Sequence, residues 1–272
     1  MEVSVKQVEL TRISPEGRQV FGDLVSVEEP LEIQIVTGPE TDKSITPLSV
    51  TMRTPGHDAD LSVGFLFTEG IIQHIDQIIR IEEVESNVTR IELDQIVKVN
   101  LQSLSRNFYT TSSCGVCGKA SIDAIHVESA VNMNSFQVTS KVLESLPSKI
   151  IKAQESFQST GGLHASALFD ANGTLLLVRE DVGRHNALDK VIGSMLLSNN
   201  HQLSDTILLV SGRASFELVQ KAAVAGIPVV AAIGAPSSLA VELAQEKGIS
   251  LIGFLKQDRF NIYTHPNRIL IS

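Results

Sequence analysis

The chain has 272 residues, of which 43% are hydrophobic and 19% are charged, and both fractions are ordinary for a globular protein. This composition excludes global disorder, and no apolar run approaches the ~18–20 residues that a membrane-spanning helix needs. The net charge of −9 argues against a protein that coats nucleic acid. Two cysteines are too few for a disulfide-rich secreted scaffold, and residues 1–10 lack the pattern of a secretory signal.

The charge is distributed unevenly along the chain. Residues 1–113 contain 9 Lys and Arg against 18 Asp and Glu, which gives a net charge of −9. Residues 114–272 contain 13 of each kind and are neutral overall. An anionic ligand is therefore expected to bind the second half of the chain.

The first half is predicted to be rich in strands. Short runs of Val and Ile predict the strands, and Pro and Gly mark turns at 15–17 and 38–39. The spacing of Leu61, Phe65 and Leu66 predicts a helix at 59–69. The predicted strands lie at 2–13, 19–27, 31–37, 48–53 and 90–101, the last as a half-buried strand.

Buried strands and helices alternate in the second half, after a predicted hairpin. The hairpin joins 165–169 to 174–178, and a helix at 183–197 follows it. The predicted strands at 205–210, 227–233 and 251–255 alternate with helices at 216–225 and 236–247. The pattern predicts an α/β protein, α+β overall, with parallel strands. It divides into a strand-rich domain over 1–130 and an α/β domain over 131–272.

Both cysteines, Cys114 and Cys117, lie in one short run between Thr110 and Lys119. Two thiols at this spacing can react with one another, and Lys119 or a nearby helix N-terminus favours the thiolate. A thiolate is the nucleophile in disulfide exchange and in sulfur transfer. The pair is therefore the candidate catalytic site.

Three other interpretations of this pair stay open. A structural zinc site needs four ligands, so His126, His164 or His185 would have to contribute. A dithiol oxidoreductase places its Cys-x-x-Cys near a βαβ pattern, whereas this pair follows a strand-rich region. The two cysteines could also be buried and inert, although the surrounding Gly and Ser residues favour exposure.

Several loops of the second half carry candidates for binding a phosphorylated ligand. Loops after the strands of an open α/β sheet meet at its carboxyl edge, where ligands bind. Glycine allows close backbone approach, and Arg and helix N-termini bind anions. Ordinary turns and helix caps are the alternative for each loop taken alone. The candidates are Gly161, Gly162, His164, Arg184, His185, Asn186, Ser211, Gly212, Arg213, Ser215, Lys256 and Arg259.

Taken in order, these motifs resemble the FdhD/NarQ family of formate dehydrogenase accessory sulfurtransferases. The resemblance extends from about residue 25 to the end of the chain, and it includes residues 53–58 and 64–70. The motifs are Cys-Gly-Val-Cys-Gly, Thr-Gly-Gly-x-His-Ala, Arg-Glu-Asp-Val-Gly-Arg-His-Asn-Ala, Ser-Gly-Arg-Ala-Ser-Phe-Glu, Ala-Pro-Ser-Ser-Leu-Ala and Asn-x-Tyr-Thr.

The resemblance implies a cytoplasmic sulfur carrier that takes persulfide sulfur from a cysteine desulfurase. It implies delivery to the bis(molybdopterin guanine dinucleotide) molybdenum cofactor before that cofactor enters the formate dehydrogenase apoenzyme. Cys114 would carry the persulfide, with Cys117 as its partner. The implied cofactor-binding segment consists of Phe254, Leu255, Lys256, Gln257, Asp258 and Arg259.

The resemblance also implies a homodimer, and it implies that the second domain has a cytidine-deaminase-like, α/β/α layered fold. We expect no structural metal, no nucleic-acid partner and no membrane partner. Lys256 stands where the family usually has Arg, which keeps the charge but loses the bidentate fork.

Two further functions compete with sulfur transfer. A zinc deaminase uses His-x-Glu followed by Pro-Cys-x-x-Cys, but here Ser166 stands at the Glu position after His164 and the cysteines come earlier. A chaperone could instead bind the cofactor without transferring sulfur.

Overall fold

The computed structural model describes residues 4–97, 99, 136–198 and 203–271. The first of these ranges contains six strands: β1 (Val5–Ser14), β2 (Gly17–Ser26), β3 (Glu29–Thr37), β4 (Ser44–Arg53), β5 (Ile78–Glu85) and β6 (Val88–Leu93). The strands β1 and β2 form an antiparallel hairpin, and the other four form a sheet with the order β4-β3-β6-β5. The α-helix α1 (Asp58–Thr68) lies between β4 and β5 along the chain.

A six-stranded mixed sheet forms the centre of the second half. Its strands are β8 (His164–Phe169), β9 (Leu175–Asp181), β10 (Ile207–Val210), β11 (Val229–Ala232), β12 (Ser250–Gly253) and β13 (Asn261–Ile262). Their spatial order is β13-β12-β11-β10-β8-β9. The three strands β10, β11 and β12 are parallel, while β8 runs antiparallel to both of its neighbours. The predicted hairpin and the predicted parallel strands are confirmed.

Helices lie on both faces of this sheet. They are α2 (Ser140–Ala153), α3 (Glu155–Thr160), α4 (Arg184–Leu197), α5 (Phe216–Val224) and α6 (Ser238–Glu246). A small parallel pair joins β7 (Val138–Thr139) to β14 (Ile269–Leu270) on the α2 side.

Alternate side chains of the central strands enter two different hydrophobic cores, because successive residues of a strand point to opposite faces. Leu208 and Val210 join the core that includes α1, α4, α5 and α6. Ile207 and Leu209 join the core that includes α2. The expected α/β/α layered fold is therefore confirmed.

The contact between α1 and α4 is very close because a glycine from each helix lies at the crossing. A Cβ atom on Gly193 would lie 1.9 Å from the backbone oxygen of Asp60, and one on Gly64 would lie 1.9 Å from that of Asp189. No side chain fits at either position without moving a helix. The first core thus joins residues from both halves of the chain.

We expect Gly193→Ala to lower the free energy of unfolding by about 2–3 kcal/mol, because the added methyl group must push the two helices apart. Urea unfolding followed by circular dichroism measures this change. Glu242→Ala, an exposed substitution on α6, is the control and should change stability by less than ~0.5 kcal/mol. An equally stable Gly193→Ala variant would show that the crossing can relax.

Several predicted boundaries are wrong, and the strand predicted at 48–53, for example, begins at Ser44. The strand predicted at 90–101 ends at Leu93, because Asp94 begins a turn in which its side chain accepts the Ile96 N–H at 2.9 Å. The helix predicted from residue 236 begins at Ser238, since Ser237 is the N-cap and accepts the Ala240 N–H. Pro236 instead pairs with Ala214 in an isolated bridge.

Among the described elements, β5, β7, β14, α2 and α3 were not predicted from the sequence. The boundary predicted between residues 130 and 131 lies outside the described residues, so the division into two domains stays a prediction.

Candidate functional site

The predicted loops meet at one edge of the central sheet. The carboxyl ends of β9 to β12 lie there beside the first residue of β8, since β8 runs in the opposite direction. Backbone hydrogen bonds join the loops: the Gly234 N–H donates to the Gly212 oxygen at 2.9 Å, and the Phe254 N–H donates to the Gly234 oxygen at 3.0 Å. The edge is therefore a continuous surface built from four loops.

His164 lies at this edge, as the first residue of β8. It is half-buried, and a Cβ atom on Gly212 would lie 3.4 Å from its Nδ1. Burial lowers the pKa of His164, and the nearby Arg184 and His185 lower it further, so the neutral ring is favoured. The Arg184 guanidinium therefore provides the positive charge beside this ring, and such a charge suits an anionic ligand.

A buried carboxylate, Asp181, positions the loop between β9 and α4. Its side chain accepts hydrogen bonds from the Gly183 N–H at 2.8 Å and from the Asn186 amide at 3.1 Å. It also forms an ion pair of 2.7 Å with Lys190, and both side chains are almost completely buried. Asp181 thus connects the start of α4 to the interior.

The same network holds the segment 53–58, which the sequence analysis assigned to the family resemblance. The Thr54 N–H donates to Asp181 at 3.1 Å, and Lys190 donates to the Thr54 oxygen at 2.8 Å. Arg53 forms two hydrogen bonds with Asp58, at 2.9 and 2.6 Å, and is fully buried. Buried polar contacts therefore attach the acidic first half of the chain to the carboxyl edge of the central sheet.

Three predicted binding residues have internal contacts instead of a free side chain. The Asn186 amide donates to the Met52 oxygen at 2.8 Å and accepts from Thr51 at 3.2 Å. The Ser211 hydroxyl accepts the Ala165 N–H at 2.8 Å. Leu255 belongs to the core on the α2 side. Their side chains position the loops, and a direct role of these three residues in binding stays a prediction.

The loop after β12 presents exposed groups at the same edge. Phe254 is 44% exposed and has a positive φ of 52°, a backbone conformation that costs energy for a residue other than glycine. Lys256, Gln257, Asp258 and Arg259 are also exposed, as is Arg213 in the loop after β10. Gly161, at φ 68°, and Gly162 are exposed before β8.

Glu217 is a carboxylate at this edge that the sequence analysis did not select. Its Oε2 atom lies 3.8 Å from Nε2 of His185, and Ser215 is the N-cap residue of the same helix, α5. Asp181 and Lys190 were also missed. The sequence did contain a signal for buried ion pairs: charged residues stand at positions 189 and 190, inside the apolar face of the predicted helix.

Cys114 and Cys117 lie outside the described residues, as do Lys119 and His126. Among the described residues no group of three metal-binding side chains is found. The described helices also include none that is both long and apolar enough to cross a membrane.

The fold and the edge define the class: a three-layer α/β protein whose mixed sheet presents loops with exposed cations at its carboxyl edge. The FdhD/NarQ family model matches residues 26–270, and the chain belongs to this family.

Relatives are similar over almost the whole length. The sulfur carrier protein FdhD of Mycolicibacterium paratuberculosis is 50% identical over 255 residues, which cover 89% of this chain and 90% of that protein. The protein of the same name from Saccharolobus solfataricus is 42% identical over 269 residues, covering 99% of this chain and all of the relative.

A crystal structure of a candidate formate dehydrogenase accessory protein from Desulfotalea psychrophila has the same fold. Its TM-score is 0.78 at 24% identity, over 98% of this chain and 100% of that one.

Proposed function

We propose that this chain is a persulfide sulfur carrier. It accepts sulfur from a cysteine desulfurase and transfers it to the bis(molybdopterin guanine dinucleotide) molybdenum cofactor, which then enters formate dehydrogenase. The observation that carries the proposal is the nearly full-length match to sulfur carrier proteins in a chain whose two cysteines are separated by two residues. Such spacing suits thiolate chemistry.

The cationic edge supports the part of the proposal that concerns the cofactor, which is cargo here. Arg184 lies beside His164, and Arg213 follows Gly212 in the loop after β10, so both arginines provide positive charge at this edge. Lys256 and Arg259 add exposed charge in the loop after β12. Cations and helix N-termini at a carboxyl edge are suited to the phosphates of a dinucleotide.

The proposed transfer begins with attack by the Cys114 thiolate on the outer sulfur of the desulfurase persulfide. A new S–S bond forms on Cys114, and the desulfurase cysteine leaves as a thiolate. Cys117 then attacks the Cys114 sulfur, forming a disulfide and releasing the outer sulfur as sulfide to the molybdenum centre. A cellular dithiol reduces the disulfide and restores both thiols.

Intact mass spectrometry tests the loading step. The chain is mixed with a cysteine desulfurase and cysteine, without reductant. We expect a gain of one sulfur atom that reductant removes and that Cys114→Ala abolishes. A chain that gains no sulfur, while its thiols react with an alkylating agent, would contradict the proposal.

A cofactor-binding chaperone is the second candidate, because the exposed cations of the described edge suit a nucleotide and such binding needs no thiol. A chaperone would bind the guanine nucleotide and activate formate dehydrogenase with both cysteines replaced. A dithiol oxidoreductase would instead reduce an unrelated disulfide, such as those of insulin.

We also propose a cytoplasmic homodimer. Sedimentation at several protein concentrations checks the oligomeric state, and a monomer at all of them would contradict it.

A further inference from the structure

A buried histidine at the carboxyl edge of the central sheet has a ring nitrogen that makes no hydrogen bond with any described residue. His185, in the first turn of α4, is 9% exposed, and its Nε2 atom has no hydrogen-bond partner among the described residues. An Oε2 atom of Glu217, in the first turn of α5, lies 3.8 Å away, which is too long for a hydrogen bond. A buried polar atom without a partner is rare, so this pair needs an explanation.

The pair differs from the two other buried ion pairs of α4. Lys190 lies 2.7 Å from Asp181, and Lys221 lies 2.9 Å from Asp189. Those two pairs are closed, and their cations are lysines. The third pair is open, and its nitrogen belongs to a histidine, whose two ring nitrogens can contact two different partners.

Glu217 is held in its charged form. The pKa of Glu217 lies well below its usual range, and the main cause is the contact of its carboxylate with the His185 side chain. Burial raises this pKa, whereas the backbone N–H of Glu217 and the Ser215 side chain lower it further. An ionised carboxylate is an acceptor only, so it favours the His185 forms that carry a hydrogen on Nε2. Carboxylates orient functional histidines in this way at other sites.

Charged groups from several elements lie near this end of α4. From α1, Asp58 and Asp60 are paired with Arg53 and Arg179. From α5, Lys221 is paired with Asp189. Asp181 on β9 is paired with Lys190 on α4, and His164 on β8 interacts with Arg184 and with His185.

We propose that Glu217 is a positioning residue: its charge attracts Nε2–H of His185 across 3.8 Å and so orients the imidazole toward a phosphate group bound at the carboxyl edge. In the imidazolium both ring nitrogens are donors, so Nδ1 can donate to the phosphate while Nε2–H faces Glu217. This inference rests on the proposed function for the class of ligand, a phosphorylated guanine nucleotide. Glu217 then contributes to affinity only through His185.

Titration calorimetry with GDP tests the proposal on the full chain. We expect Glu217→Gln to weaken GDP binding about five- to tenfold, because the neutral amide lacks the charge that orients the His185 ring. In a His185→Gln background, Glu217→Gln should cause no further loss. An equal loss in the His185→Gln background overturns the proposal.

Imidazole nitrogen NMR on the ligand-free chain provides a readout that needs no nucleotide. The His185 signals, assigned by their absence in His185→Gln, should show hydrogen on Nε2 in the wild type and a changed distribution in Glu217→Gln. Glu242→Gln, an exposed substitution on α6, is the matched control and should leave the signals unchanged. An unchanged spectrum in folded Glu217→Gln overturns the positioning role.

The two proposals fail in distinguishable ways. A chain that takes no sulfur from the desulfurase contradicts the carrier function and leaves the GDP titration and the NMR result standing. A chain that loads sulfur and binds GDP, without coupling between Glu217 and His185, contradicts this inference alone.

Discussion

Replacing Cys114 by Ala should abolish activation of formate dehydrogenase. In cells that lack their own copy of the gene, we expect the Cys114→Ala chain to support about a hundredfold less formate dehydrogenase activity than the wild type, or less still. The physical reason is that alanine has no thiolate to accept the sulfur, and no other cysteine except Cys117 exists in the chain. Formate oxidation in cell extracts measures the effect.

Ser113→Ala is the matched control, because it removes a hydroxyl next to Cys114 and leaves both thiols in place. It should retain most of the activity. Cys117→Ala should load sulfur but deliver it poorly, since the disulfide that releases sulfide cannot form. If the double Cys→Ala chain still activates formate dehydrogenase, the sulfur carrier function is wrong and the chaperone is favoured.

Replacing Lys190 by Met should destabilise the protein severely. Lys190 and Asp181 form a 2.7 Å ion pair in which both side chains are almost fully buried. Met keeps most of the packing but leaves the Asp181 carboxylate without its cation in the interior. We expect the free energy of unfolding to fall by about 3–5 kcal/mol, measured by urea unfolding with circular dichroism, since the chain has no Trp.

Lys141→Met is the control, because Lys141 is exposed on α2, and it should change stability by less than ~0.5 kcal/mol. Adding Asp181→Asn to Lys190→Met should restore part of the loss, because the uncompensated charge is then removed. Strictly additive losses in this double-mutant cycle would contradict a direct interaction between the two side chains.

The sequence predicted the elements whose residues repeat with a clear period. The strand at β10, the helices α4 and α5 and the hairpin of β8 and β9 are all confirmed, because apolar spacing and turn residues are local signals. The strand predicted through residue 101 failed at Asp94, where one side chain begins a turn within an otherwise alternating pattern. The apolar periodicity does not show that a side chain can start a turn by a hydrogen bond to nearby backbone.

The candidate site was predictable in its location more than in the role of each side chain. Parallel strands place the loops after β10, β11 and β12 at one edge of the sheet whatever residues those loops contain, so the location of the candidate site could be predicted from the α/β pattern. The direction in which each side chain points could not be predicted from that pattern. Asn186 was predicted to bind a ligand but contacts Met52, a residue 134 positions earlier in the chain.

By itself, the sequence determined the α/β class, the thiol pair at Cys114 and Cys117 and the resemblance to the FdhD/NarQ family, because these depend on residue type and spacing along the chain. Only the tertiary structure decided the ion pair of Lys190 with Asp181, the close crossing at Gly64 and the contact of His185 with Glu217. These contacts join residues that are distant in sequence, and the packing of helices against a shared sheet selects them.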